Sequence, residues 1–338
     1  MVVPSHLRYV CEAMSTLLQP FSRPRTSDEP VALAVGTMNF GKRTSESESL
    51  KIVHRALERG VVLFDTANAY VEGEAERVLG RALRGRRDRA LIATKVGFGR
   101  VDGKPEGLSR TRILAAIDDS LSRLGTDYVD VYYLHVPDHA TPIEESLGAI
   151  ETLLSSGKIR SWAVSNYASW QVLEMFFLAE RTGMPRPVMS QMLYNLLIRQ
   201  LDLEYFRFAK RFALHTTVYN PLAGGLLAGK FDSPEVSQKG TRFEKNALYQ
   251  KRYWTAPFFA RVEAYADVAK SEGLSLVDLS YAFLAGHPNV DSILVGPGTV
   301  EHLDAAIDAC AKVISPEGRR RIDELHVEFQ GTNSSYAR

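Results

Sequence analysis

Asp65, Tyr70, Lys95 and His135 are the side chains of this sequence best suited to deliver a proton to a carbonyl oxygen. The first two lie in Asp65-Thr-Ala-Asn-Ala-Tyr70, a strand end and the loop behind it. A phenol titrates near pH ~10 and is a poor acid at neutral pH unless its anion is stabilised. A neighbouring ammonium, Lys95, would do that, and a carboxylate, Asp65, would keep the ammonium charged and in place. An imidazole, His135, could donate a hydrogen bond to the carbonyl oxygen and orient it. Together the four groups suit protonation of the oxygen while hydride reaches the carbon. Singly, each has a plainer reading: Asp65 as a helix cap, Tyr70 as a loop aromatic, His135 as a satisfied structural residue.

Such a set requires elements that deliver distant residues to one place. Leu63-Phe-Asp65, Leu91-Ile-Ala-Thr-Lys95, Val129-Asp-Val-Tyr-Tyr-Leu-His135, Trp162-Ala-Val-Ser-Asn166 and Thr217-Val-Tyr219 are apolar, β-branched runs that each stop on a polar residue. Parallel strands gather such endings at one rim of a sheet. Strands are predicted at 31–37, 61–66, 90–96, 128–135, 161–165, 188–192, 214–220 and 290–295. Helices alternate with them at 48–59, 75–83, 110–124, 143–154, 170–180 and 203–211, two helical stretches precede the last strand, and 300–310 follows it. Gly60, Gly125, Gly157 and Gly183 stand where helices should stop. Eight strand–helix units in succession predict a (β/α)8 TIM barrel, one domain over residues 30–338. The first strand runs into Gly36-Thr-Met-Asn-Phe-Gly41, so the G-x-G-x-x-G dinucleotide fingerprint of a doubly wound sheet is missing. A long loop after strand seven, residues 230–257, and a C-terminal tail from Ser315 would lie over one end of the barrel as specificity loop and lid.

The bulk numbers set limits. Among 338 residues, 45% are hydrophobic and 24% charged, ordinary globular usage that provides for a substantial core. With 41 basic against 40 acidic residues the net charge is +1, which argues against a broad nucleic-acid surface but leaves room for a local basic pocket. No apolar run is long enough to span a bilayer. Cys11 and Cys310 lack C-x-x-C spacing, which disfavours a zinc site or disulfide framework and favours a reducing, cytoplasmic setting. Residues 1–29, with several Ser, Pro and Arg, read as a flexible or loosely docked extension, with a transit-type leader as the alternative.

Gly36-Thr-Met-Asn-Phe-Gly41, Asp65-Thr-Ala-x-x-Tyr70, Thr94-Lys95, Leu134-His135 and Gly157-Lys-Ile-Arg-x-x-Ala-Val-Ser-Asn166 resemble the aldo-keto reductases, over roughly residues 31–311. The resemblance implies a nicotinamide cofactor bound without a Rossmann fold, Tyr70 as general acid, and Lys95, Asp65 and His135 in support. It implies cofactor contacts from Gly36, Thr37 and Met38, and from Ser165, Asn166 and Gln191 to the carboxamide. Tyr219 would stack on the ring, and Asn220, Pro221, Leu222, Gly224, Gly225, Leu226 and Lys230 would follow it along the phosphates. Independently of family, the glycines after strand seven let backbone N–H groups approach an anion. Gly296, Gly298, Thr299 and His302 match the segment that grips the adenosine end, and a helix start at Thr299 suits a phosphate. NADP(H) is the implied cofactor, with NAD(H) left open because Gly298, His302 and Ala306 depart from the pattern of NADPH-preferring members.

The motifs His135-Val-Pro-Asp-His139, Arg242-Phe243, Arg252-Tyr-Trp254 and a Tyr-x-Arg terminus at Tyr336 and Arg338 are similar to the aflatoxin-aldehyde and succinic-semialdehyde reductase branch. That likeness implies reduction of dicarbonyls and carboxylate-bearing aldehydes by a monomer or homodimer. Arg242, Arg252 and Arg338 are candidates to grip an acidic tail, because a guanidinium offers two parallel hydrogen bonds. Met38, Phe98 and Trp254 are candidates for the apolar wall. Two other readings use the same residues: oxidation of an alcohol or sugar with NAD(P)+, and a cofactor-holding redox sensor like the potassium-channel β subunits, which usually put Trp where this chain has Tyr219.

Overall fold

A computed structural model describes residues 16–331 apart from 237. Eight parallel strands close into a barrel. In chain order they are β1 (Ala32–Gly36), β2 (Leu63–Asp65), β3 (Leu91–Val96), β6 (Val129–Leu134), β7 (Ile159–Ser165), β8 (Met189–Leu193), β9 (His215–Tyr219) and β10 (Ser292–Val295). The numbers β4 (Arg100–Val101) and β5 (Lys104–Pro105) belong to a small antiparallel hairpin after β3. Closure comes from pairing of β1 with both β2 and β10, with Val35 opposite Phe64 and Val295. The predicted TIM barrel is the observed fold.

Helices fill the outer ring because their sequences carry both an apolar face and an end signal. Glu46–Glu58 starts at Ser45, whose hydroxyl accepts from the Glu48 N–H, and buries Ile52, Val53, Ala56 and Leu57. Arg110–Leu124 starts at Ser109 in the same way and stops at Gly125, whose φ of 65° is the left-handed conformation that glycine adopts without penalty. The main core lies between this ring and the outward faces of the strands.

The barrel interior has its own smaller cluster, and two of its members were not expected there. Leu18 and Phe21, in the turn of 3-10 helix Thr16–Phe21, are buried against Ala34, Leu63, Leu91, Val131 and Met189 at the floor of the barrel. The Arg25 guanidinium donates to the carbonyls of Ala285 (2.9 Å) and His287 (2.7 Å), and its backbone N–H donates to Asp291 Oδ1. Leu18, Phe21 and Arg25 of the expected extension are thus seated on the barrel, while residues 1–15 lie outside the described residues. Two apolar side chains find a hollow that only the closed barrel creates, each burial contributing roughly 1.5–3 kcal/mol.

At the other rim, the segment after β9 folds into a 3-10 turn, Ala223–Ala228, and a short helix, Ala247–Tyr253. The chain from Ser315 forms the helix Pro316–Gln330, packed on Ala256–Ser271 through stacked Phe258 and Phe329 rings. Among the described residues, no helix is long and apolar enough to cross a membrane.

Candidate active site

Asp65 closes β2, Lys95 is the penultimate residue of β3, and His135 follows β6 directly, so all three emerge at the same rim. Asp65 and Lys95 are fully buried neighbours. The Lys95 Nζ donates to Asp65 Oδ1 and to the Thr66 carbonyl (2.8 Å), while Gln191 Nε2 donates to Asp65 Oδ2 (2.8 Å). Burial pushes the Asp65 carboxyl up and the Lys95 ammonium down, and the contact between them opposes both shifts. Tyr70 sits in a 3-10 turn, with Nζ of Lys95 5.2 Å from its ring centre and the His135 ring edge-on at 5.9 Å. The next residue, Val71, has a φ of 49°, a strained backbone for a β-branched side chain.

The phenol differs from the sequence expectation in one respect. Burial and the negative charge of Asp65 push Tyr70 well above its ordinary pKa, and among its main influences only Arg242 pulls the other way. Lys95 spends its charge on Asp65 rather than on acidifying Tyr70, so the phenol is held protonated. His135 is held well below its ordinary pKa by burial and by Lys95. Its Nδ1 is buried without a hydrogen-bond partner. The site thus offers a neutral imidazole and a protonated phenol side by side.

These groups line one end of a cavity of about 900 Å3. Gly36, Met38 and Phe98 line it together with Ser165, Asn166, Gln191 and Tyr219. Phe98 stands 5.1 Å from the His135 ring. The Tyr219 hydroxyl donates to Asn166 Oδ1 (2.8 Å), and Asn166 Nδ2 donates to Ser165 Oγ (2.9 Å) and the His135 carbonyl (3.1 Å). Farther along lie Asn220, Pro221, Leu222, Gly224, Gly225 and Lys230, then Gly296 and His302. Arg242 stands beside Gly296, and Arg252 lies against the Tyr219 phenol. Burial, and after it the charge of Arg242, lowers the pKa of Arg43, so the two guanidiniums lie close together near Gly296.

Other expected residues lie behind the wall. Thr37 is buried with its hydroxyl donating to the Asp65 carbonyl, and Leu226 is buried under the glycine turn. Gly298 gives its carbonyl to the Thr44 hydroxyl, and Thr299 caps the helix Val300–Cys310. Trp254 does not line the cavity: it packs on Phe243 (4.5 Å) and Phe231 (5.0 Å), and its Nε1 donates to the Pro234 carbonyl. Packing among loop aromatics leaves its ring no path to the site. Arg338 lies outside the described residues. Tyr249, not foreseen from sequence, reaches the cavity and donates to Asn220 Oδ1; its only signal was an aromatic in a basic, aromatic-rich loop.

The residues fit a long anionic ligand with a planar head. Gly224 and Gly225 adopt φ of 73° and 106°, and a Cβ at Gly225 would meet nothing within 4 Å, so its backbone stands open to the cavity. Asn220 Nδ2 is buried and unpartnered, a donor awaiting an acceptor.

Residues 32–327 match the family model described as Aldo/keto reductase family. The chain belongs to that family. Human aflatoxin B1 aldehyde reductase member 2 is 38% identical over 270 residues, covering 78% of this chain and 71% of that protein. Human aldo-keto reductase family 7 member A3 is 36% identical over 273 residues, 77% of each chain. A rice protein (Oryza sativa subsp. japonica) called probable voltage-gated potassium channel subunit beta is 32% identical over 266 residues, covering 77% of this chain and 80% of its own. As an aldo-keto reductase, the chain is an oxidoreductase acting on carbonyl compounds, and the family supports a nicotinamide cofactor.

Proposed function

We propose that this aldo-keto reductase uses NADPH to reduce aldehydes and ketones to alcohols, favouring dicarbonyl or carboxylate-bearing substrates. The observation that carries the reading is the protonated Tyr70, beside buried Lys95 and neutral His135, in a cavity that Lys230, Arg242 and Arg252 also line. The nicotinamide, when bound, supplies the hydride. Ser165, Asn166 and Gln191 would hold its carboxamide, Tyr219 its ring, and the turn at Gly224 and Gly225 its phosphates. Tyr70 gives its proton to the carbonyl oxygen as negative charge develops there. His135 orients that oxygen, and Lys95, anchored by Asp65, stabilises the phenolate left behind.

A phenol held above its ordinary pKa keeps its proton until a developing oxyanion in front of it and a cation behind it stabilise the transfer, and the same groups serve the reverse reaction by microscopic reversibility. Lys230, Arg242 and His302, with Arg43 nearby, suit the extra phosphate of NADPH. Arg252, nearer the ring-binding Tyr219, is the better placed of the two loop arginines for a substrate carboxylate. Human aflatoxin B1 aldehyde reductase member 2, by its name, acts on an aldehyde, and its likeness supports the same class here.

The test is a kinetic screen of succinic semialdehyde, methylglyoxal, nitrobenzaldehydes and sugars with NADPH and NADH. Turnover of aldehydes with NADPH supports the reading. Tight cofactor binding without turnover would favour the sensor, and activity only toward alcohols with NAD(P)+ would favour the dehydrogenase.

A further inference from the structure

Glu106 sits outside the catalytic set, yet its carboxylate gathers donors from the loops on either side of it. The side chain is only 2% exposed, and four donors from three elements converge on it. Oε1 accepts from Asn68 Nδ2 (2.6 Å) and from Arg112 Nε (2.9 Å). Oε2 accepts from the backbone N–H groups of Gly97 (2.8 Å) and Gly99 (3.1 Å). Asn68 belongs to the loop that ends in Tyr70, whereas Gly97 and Gly99 flank Phe98 at the base of the β4–β5 hairpin.

The two loops also touch. A Cβ at Gly99 would lie 3.1 Å from Glu106 Oε2 and 3.6 Å from Ala69 Cβ, so the hairpin base is pressed between the carboxylate and the residue preceding Tyr70. Phe98 projects from that base, 53% exposed, and its ring rests on His135 at 5.1 Å. Among the described residues, Glu106 is the side chain whose hydrogen bonds join both loops, and Tyr70 and Phe98 stand on either side of that junction.

We propose that Glu106 is a positioning residue that couples the Tyr70 loop to the Phe98 hairpin and so sets the width of the aldehyde slot between Tyr70, His135 and Phe98. The proposal rests on the aldehyde-reductase reading for its consequence, and on hydrogen bonds alone for the coupling. Glutamine in its place keeps one acceptor oxygen and turns an amide N–H toward donors, which must release either Asn68 or the glycine pair.

The experiment compares Glu106→Gln and Asn68→Ala, each alone and combined with Phe98→Ala. The readouts are kcat/KM for methylglyoxal and for a nitrobenzaldehyde, NADPH affinity, Tm, and amide hydrogen exchange over residues 66–70 and 97–106. A slot widened by a fraction of an ångström should cost about tenfold in kcat/KM for the aromatic aldehyde, and markedly less for the small one. NADPH affinity should hold, and exchange should rise in both segments. Asn68→Ala should shift selectivity the same way, which preserves the test if Glu106→Gln fails to fold. With Phe98 already removed, Glu106→Gln should no longer alter selectivity. Equal losses for both aldehydes, tracking a lower Tm, would show a merely structural role and overturn the proposal. Should the wild type reduce no aldehyde, the exchange arm still decides: a rise in both segments upholds the coupling, and a rise confined to the hairpin defeats it.

Discussion

The ammonium of Lys95 lies 5.2 Å from the centre of the Tyr70 ring while its hydrogen bonds go to Asp65 and the Thr66 carbonyl. The cation is thus positioned beside the phenol but committed to the carboxylate. Before reaction, Tyr70 keeps its proton; once the proton has left, Lys95, whose ammonium faces the ring, is placed to stabilise the phenolate together with Arg242, which already pulls the phenol's pKa down.

Lys95→Met should abolish reduction and also destabilise the chain. It leaves Asp65 buried with, among the described residues, Gln191 as its remaining side-chain donor, a loss on the order of 3–5 kcal/mol when one member of a buried pair is removed. Adding Asp65→Asn should restore much of the stability without restoring activity. Denaturant unfolding of the single and double variants checks this; equal stabilities would show that the pair carries no net charge coupling.

The loop arginines should separate by function. Arg252→Gln should raise KM for succinic semialdehyde by roughly tenfold, the range for losing a charge-assisted hydrogen bond, and leave neutral nitrobenzaldehyde nearly unchanged. Arg242→Gln should instead weaken NADPH more than NADH. Steady-state kinetics with each aldehyde and each cofactor decide the assignment, and a reversed pattern would exchange the two roles.

Much of this site was legible before any coordinates. Asp65, Lys95 and His135 each end an apolar run, and a run that ends on a titratable group fixes both its face and its rim. Trp254 was misplaced because an aromatic in a loop reads the same whether it faces a cavity or Phe243. Glu106 was invisible for another reason. In Asp102-Gly-Lys-Pro-Glu-Gly107 it looks like a solvated turn residue, and its partner Asn68 is 38 positions away. Leu18 and Phe21 show the same limit, since the hollow they fill is made by strands that come later in the chain.

Leu18→Ala and Phe21→Ala should each lower stability by about 2–5 kcal/mol, the usual cost of emptying a buried site, without changing cofactor affinity in the folded protein. The floor of the barrel is the rim opposite the site, so the effects should not mix. Chemical denaturation and NADPH titration measure them separately. Loss of affinity at full folding would tie the floor to the site.

The same floor should make the chain acid-sensitive. His215 is fully buried, bonded to the Arg23 carbonyl and to Ser292 Oγ (2.8 Å each), and burial holds it below its ordinary pKa. A folded-state pKa below the unfolded value means that its contribution to stability is complete above about pH 6.5 and is lost as pH falls through the folded value. Tm should therefore drop on acidification, and His215→Gln should flatten that dependence. An unchanged slope in the variant would place the acid sensitivity elsewhere.

The most direct measurement is the rate of NADPH oxidation by Tyr70→Phe with an aldehyde that the wild type reduces, alongside its NADPH affinity. The variant keeps the ring against Lys95 and His135 and removes the hydroxyl that carries the transferable proton. The account predicts a fall in kcat of at least about 10²–10⁴-fold with affinity essentially unchanged. Turnover near the wild-type rate would contradict it, because the proton would then reach the carbonyl oxygen from some other group.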